Sequence, residues 1–144
     1  MPIFSLGGAC RPAQQIKKNL ENDFISGPFD WTVSSAKSIF RFFEQDFKVE
    51  DCLTPSNIRF FGNGLRLKCD YSDLIFHHGL GPNELKKIRP EGNEKYLRYS
   101  PTPSSSLLKH DDYIKTKRRF LFTAKRLISM CDFCESKIIF IRWI

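Results

Sequence analysis

Cys10 is the residue of this chain best placed to do chemistry. It follows an apolar run, Ile3 to Leu6, closed by Gly7-Gly8, and it precedes a segment with helical periodicity. A thiol at a helix N-terminus meets free backbone N–H groups and the positive end of the macrodipole. Both favour the thiolate, the nucleophilic form, and Arg11 beside it acts in the same direction. The Gly7-Gly8 turn is expected to let backbone amides approach a developing oxyanion. A cysteine nucleophile needs a base, and the chain holds three histidines. Two of them, His77 and His78, follow the apolar run Leu74-Ile75-Phe76, where a rigid element can present a ring to a cleft. Adjacent residues continuing a strand face opposite sides, so the pair offers one ring to each side. The same residues also have an ordinary structural use. A cysteine near a helix start commonly serves as a small buried residue, and spacing alone does not join residue 10 to residue 77.

The elements that must position these groups can be read from periodicity. Ile3 to Leu6 suits a short buried strand ending in a tight turn. Pro12 is tolerated in a first helical turn, and Ala13, Ile16, Leu20 and Phe24 then recur at spacings of three and four, predicting a helix with Lys17, Lys18, Asn19 and Glu21 on the wet side. Gly27-Pro28-Phe29-Asp30-Trp31 turns the chain. Ser34 or Ser35 is expected to cap a second helix, with Ala36, Ile39, Phe40, Phe43 and Phe47 as its apolar stripe. Residues 57–67, with Gly62-Asn63-Gly64 at the tip, read as a hairpin. Residues 81–106 are polar and punctuated by four prolines, which predicts a long surface loop. Asp111 or Asp112 opens the third helix, with Tyr113, Phe120, Ala124, Leu127, Ile128 and Cys131 on one face. Ile138 to Ile141 reads as a strand covered on both sides.

A helix feeding a buried strand indicates an α/β fold: a mixed, partly parallel sheet packed by about three amphipathic helices. The 144 residues are expected to form a single domain, 1–144, shortened at its C-terminus because a covered strand lies so near the end. The charge of +7 is uneven, with +1 over residues 1–72 and +6 over residues 73–144. Much of the excess lies in residues 109–126, at +5. On a helix these cations spread around an apolar stripe as a solvated face does, and no nucleic-acid-binding signature accompanies them, so nucleic acid is not the expected partner. No apolar run approaches the roughly 20 residues that span a bilayer. The first residues lack the basic and apolar regions of a signal peptide. Five scattered cysteines, an odd number, are expected to be reduced thiols in a cytoplasmic protein. Cys131-Asp132-Phe133-Cys134 has the spacing of zinc and redox sites but lacks a second ligand pair, so no metal is expected. No nucleotide-binding glycine pattern appears, and no cofactor is expected.

Taken in order, Ser5-Leu6-Gly7-Gly8-Ala9-Cys10, then Gly27-Pro28-Phe29-Asp30-Trp31, then the serine-started helix ending in Asp46-Phe47, then Phe76-His77-His78 resemble a family of papain-like cysteine peptidases. The Lys117-Arg118-Arg119-Phe120 helix and the closing Ile-Ile-Phe-Ile-Arg strand fit it too, so the resemblance covers essentially the whole chain. It implies Cys10 as nucleophile and His77 or His78 as general base, acting on a peptide or other acyl substrate. It also implies a domain continuing beyond the last strand. Papain-like enzymes orient the histidine with an Asn or Asp. Asp30 falls on the family's Pro-Phe-Asp-Trp word and is the candidate partner, with Asp73 as a spare. Asp30 has a second expected use, accepting backbone hydrogen bonds within its own turn. Two other function classes remain open: a non-catalytic binding module using the basic helix, residues 113–131, and a transferase with an anion site at the Gly7-Gly8 turn.

Overall fold

A computed structural model describes residues 1–8, 11–61, 66–76 and 108–142. The side chains of residues 11, 60 and 61 are not part of that description. Strand β1 (Ile3–Ser5) is buried along its whole length and pairs in parallel with β6 (Ile139–Ile141), with Phe4 opposite Phe140. Its other edge is also occupied. The Ile3 N–H donates to the Asp23 carbonyl at 2.8 Å and the Ile25 N–H donates to the Ile3 carbonyl at 3.0 Å. Helix α1 (Arg11–Asn19) packs on β1 through the buried Ala13 and Ile16.

The second sheet is antiparallel, in the order β2 (Thr32–Val33), β5 (Leu74–Phe76), β4 (Arg66–Cys69) and β3 (Ile58–Phe61). Along β4 and β5 the side chains alternate. Leu67, Cys69, Leu74 and Phe76 are buried while Arg66, Lys68 and Ile75 are only partly so, the period-two pattern of a sheet with one face on a core. Helix α2 (Ala36–Phe42) starts with a reciprocal cap: Ser35 Oγ accepts from the Ser38 N–H at 3.1 Å, and Ser38 Oγ accepts from the Ser35 N–H at 2.8 Å. Helix α3 (Asp111–Phe133) closes the core, burying Tyr113, Phe120, Ala124 and Leu127 at helical spacing. Phe76 meets Phe120 edge-on at 5.6 Å between ring centroids. Among the described residues, the mixture of a parallel pair, an antiparallel sheet and three α-helices makes the fold α/β.

Several local expectations are corrected. Helix α1 ends at Asn19, so Leu20 is exposed, and Phe24 leaves the helical register for a parallel bridge with Ile3. Helix α2 ends at Phe42 and buries Ser38 and Phe42, whereas Phe40, placed in the predicted stripe, is 75% exposed. Helix α3 does open at Asp111, capped by His110, whose Nδ1 accepts from the Asp112 N–H at 3.2 Å. Cys131 is exposed rather than part of the apolar face. Strand β6 is not covered on both sides: Phe140 is 38% exposed and its neighbours are half-buried. The hairpin tip at 62–65 and the predicted loop at 81–106 lie outside the described residues.

Candidate active site

Cys10, His77 and His78 lie outside the described residues. What the structure does describe is how the chain reaches them. Gly7 and Gly8 both have positive φ, 72° and 100°, so the exit from β1 uses a backbone shape that favours glycine. At Gly7 the space is also closed. A Cβ there would stand 2.8 Å from the Phe29 carbonyl oxygen and 2.5 Å from Ser34 Oγ. Ser34 Oγ accepts from the Gly8 N–H at 3.1 Å and donates to the Leu6 carbonyl at 2.7 Å, clamping the turn from both sides. Arg142, just past β6, adds a hydrogen bond to the Ser34 carbonyl at 3.1 Å and a longer one to the Leu6 carbonyl at 3.5 Å. Sequence reasoning weighed Ser34 only as a helix cap and gave Arg142 no site role. No local motif marks either one, because both act across more than 25 residues of chain.

The amides of this turn are already engaged. The Gly7 N–H donates to Ser5 Oγ at 3.1 Å, and the Gly8 N–H goes to Ser34. The expected oxyanion role of these amides therefore has no free donor at Gly7 or Gly8. The same holds for the anion site of the transferase reading.

The turn at residues 27–31 meets both the exit of β1 and the strand that pairs with β5. On one flank Phe29 abuts Gly7, three residues before Cys10. On the other, the chain enters β2, where Thr32 pairs with Phe76, the residue before His77. Asp30 sits inside this turn and is 1% exposed. Its Oδ2 accepts from Ser26 Oγ at 2.8 Å and the Gly27 N–H at 3.0 Å, the turn-holding use foreseen for it. Oδ1 has no partner among the described residues. Burial pushes the carboxyl from an ordinary 3.8 to about 6, against the opposing pull of the two hydrogen bonds and of the Arg119 and Arg126 charges. Asp73, the spare, stands at the opposite end of β5 from residue 77. It is tied to Lys68 Nζ at 2.6 Å, which holds its carboxyl below the usual range.

Beside the turn a cleft of about 290 Å³ opens between Pro28 and Trp31, the end of β5 at Phe76, and the Thr116, Arg119, Phe120 face of α3. The Arg119 guanidinium lies 5.7 Å from the centre of the Trp31 ring. Arg126 is anchored differently, donating to the Ser26 carbonyl. Lys125 pairs with Glu50 at 2.8 Å. Three of the cations of the basic helix thus have contacts within the chain, which narrows the face open to the binding-module reading.

The remaining described thiols divide by environment. Cys52 and Cys69 are fully buried and hydrogen-bonded to each other, which holds Cys69 low and drives Cys52 upward. Cys69 Sγ also accepts from the Leu53 N–H at 3.3 Å. Cys131 is exposed, its thiol raised by partial burial and by Asp132 and Cys134. All four described cysteines are free. Among the described residues no cluster of ligands could hold a metal ion, and no helix is long and apolar enough to cross a membrane.

A protein-family model described as "Putative papain-like cysteine peptidase" matches residues 1–144. No curated protein and no solved structure gives a significant match.

Proposed function

Because that match spans the whole chain, the protein belongs to this family, and we propose that it is a thiol hydrolase or acyltransferase in which Cys10 is the nucleophile. The Cys10 thiolate adds to the carbonyl carbon of an acyl substrate. Collapse of the tetrahedral adduct expels the leaving group, which takes its proton from the imidazolium of His77 or His78. Water, deprotonated by the same imidazole, then frees the acyl group and restores the thiol. Asp30 Oδ1, buried and without a described partner, is the acceptor that orients the ring. The N-terminus of α1 and the Arg142 charge beside Leu6 both favour the thiolate.

One observation carries this reading. The 27–31 turn touches Gly7 on one flank and leads on the other into the strand that pairs with Phe76. Segments almost 70 residues apart, ending three residues before Cys10 and one before His77, therefore pack on a common turn. The test is acylation by p-nitrophenyl acetate. A burst of about one nitrophenolate per chain is expected, lost in Cys10→Ser and slowed in one of the two variants His77→Ala and His78→Ala. A burst equal in the unmodified chain and in Cys10→Ser would overturn the proposal.

A further inference from the structure

The cleft against the 27–31 turn has the chemistry of a binding pocket for one kind of group. Its floor is the buried pair Phe76 and Phe120, and the indole of Trp31 forms a wall. Such surfaces favour a flat apolar group, which gains ring contacts beyond simple burial. At about 290 Å³ the space lies at the small end of ligand pockets, enough for one bulky side chain rather than a large cofactor. One cation faces it. Arg119 is exposed; its guanidinium makes no ion pair or hydrogen bond among the described residues and lies over the Trp31 ring. The buried Asp30 carboxyl feels the Arg119 charge through space. The Thr116 hydroxyl, also without a described partner, adds a donor on the same wall. Phe76 links the pocket to the chemistry, because the chain passes from it directly to His77.

We infer that this cleft receives a substrate residue with an aromatic or bulky apolar side chain and a carboxylate close by, the ring over Trp31 and Phe76 and the carboxylate on Arg119. The inference rests on the hydrolase reading for its meaning as a substrate site, but its test does not require turnover. Two tryptophans are present, Trp31 and Trp143, so Trp143→Phe leaves Trp31 as sole fluorophore. Calorimetric titration of the unmodified chain gives the same affinities without any substitution. The probes are N-acetyl-phenylalanine, its uncharged amide, N-acetyl-alanine, and N-acetyl-Glu-Phe-amide.

Saturable change in Trp31 emission is expected with N-acetyl-phenylalanine or N-acetyl-Glu-Phe-amide, whichever carries its carboxylate at the reach of Arg119. That ligand should bind about fivefold more tightly than the uncharged amide, the upper range for an exposed ion pair. N-acetyl-alanine should bind more weakly than either. Arg119→Ala should remove the advantage of the charge while leaving the ring preference. Equal affinity for charged and uncharged probes, or no saturable binding by any of them, would overturn the inference. Binding with this pattern but no Cys10 acylation burst would refute the hydrolase reading alone. A burst without this pattern would refute the pocket alone.

Discussion

The two sheets of this molecule are built on different terms. The antiparallel sheet is backed by close packing: Leu53, Leu67, Leu74 and Leu127 are fully buried, and Cys69 of β4 is sealed in together with Cys52. The parallel pair β1–β6 is shallower, with Phe140 partly open to solvent and the chain leaving β1 held by hydroxyls and a guanidinium rather than by bulk. Directional polar contacts fix a backbone path more sharply than apolar contact does, although each contributes less energy. Under the proposed function this is a suitable division: one sheet maintains the fold and the other would deliver the nucleophile.

The contrast can be tested by unequal truncations. Leu127→Ala should cost about 4 kcal/mol in denaturant unfolding, the loss expected of a large buried side chain. Phe140→Ala, at the open strand, should cost well under half of that. Comparable losses at the two sites would remove the distinction.

Asp30 joins the two regions and should leave a pH signature. Its carboxyl titrates near 6 in the folded chain against 3.8 ordinarily, so the fold holds this proton more tightly than the unfolded chain does. Its contribution is complete below about pH 4 and is lost as pH rises through 6, a change of about 3 kcal/mol. Asp30→Asn cannot titrate, so the difference in unfolding free energy between it and the unmodified chain should shift by about this amount between pH 4 and pH 7. A constant difference across that range would mean that the carboxyl is not held in the buried setting described.

Smaller effects belong to the turn. Gly7→Ala meets both a positive φ and a close carbonyl, and should cost about 2 kcal/mol. Ser34→Ala removes one donor and one acceptor contact and should cost about 1 kcal/mol. Both substitutions should slow the alkylation of Cys10 more than their stability losses explain. If they left that rate unchanged, the clamp would be purely structural.

Much of this architecture was legible because its signals are local. The spacing of Tyr113, Phe120, Ala124 and Leu127, the alternation in β4, and the glycines after β1 each report directly on backbone geometry. The family resemblance agrees with the match over residues 1–144. What periodicity misread were the lengths of α1 and α2. Leu20 and Phe43 continue an apolar pattern past the ends of their helices, and Phe40 lies on the solvent side of α2; all three end exposed. An apolar residue carries no mark distinguishing core from surface. The clamp formed by Ser34 and Arg142 could not be read at all, because it depends on the meeting of three segments remote in sequence. Of the donors expected to be free, the Gly8 N–H was lost for the same reason, to the distant Ser34, while the Gly7 N–H goes to Ser5 two residues before it.

The central claim is that Cys10 is an activated thiol, and its alkylation rate is the most direct measure. Cys131 is the natural internal standard, because it is exposed and its thiol is not activated, whereas Cys52 and Cys69 are closed to reagents by burial. Site-resolved labelling with iodoacetamide at pH 7 should modify Cys10 at least about tenfold faster than Cys131. Equal rates at the two cysteines would contradict the account.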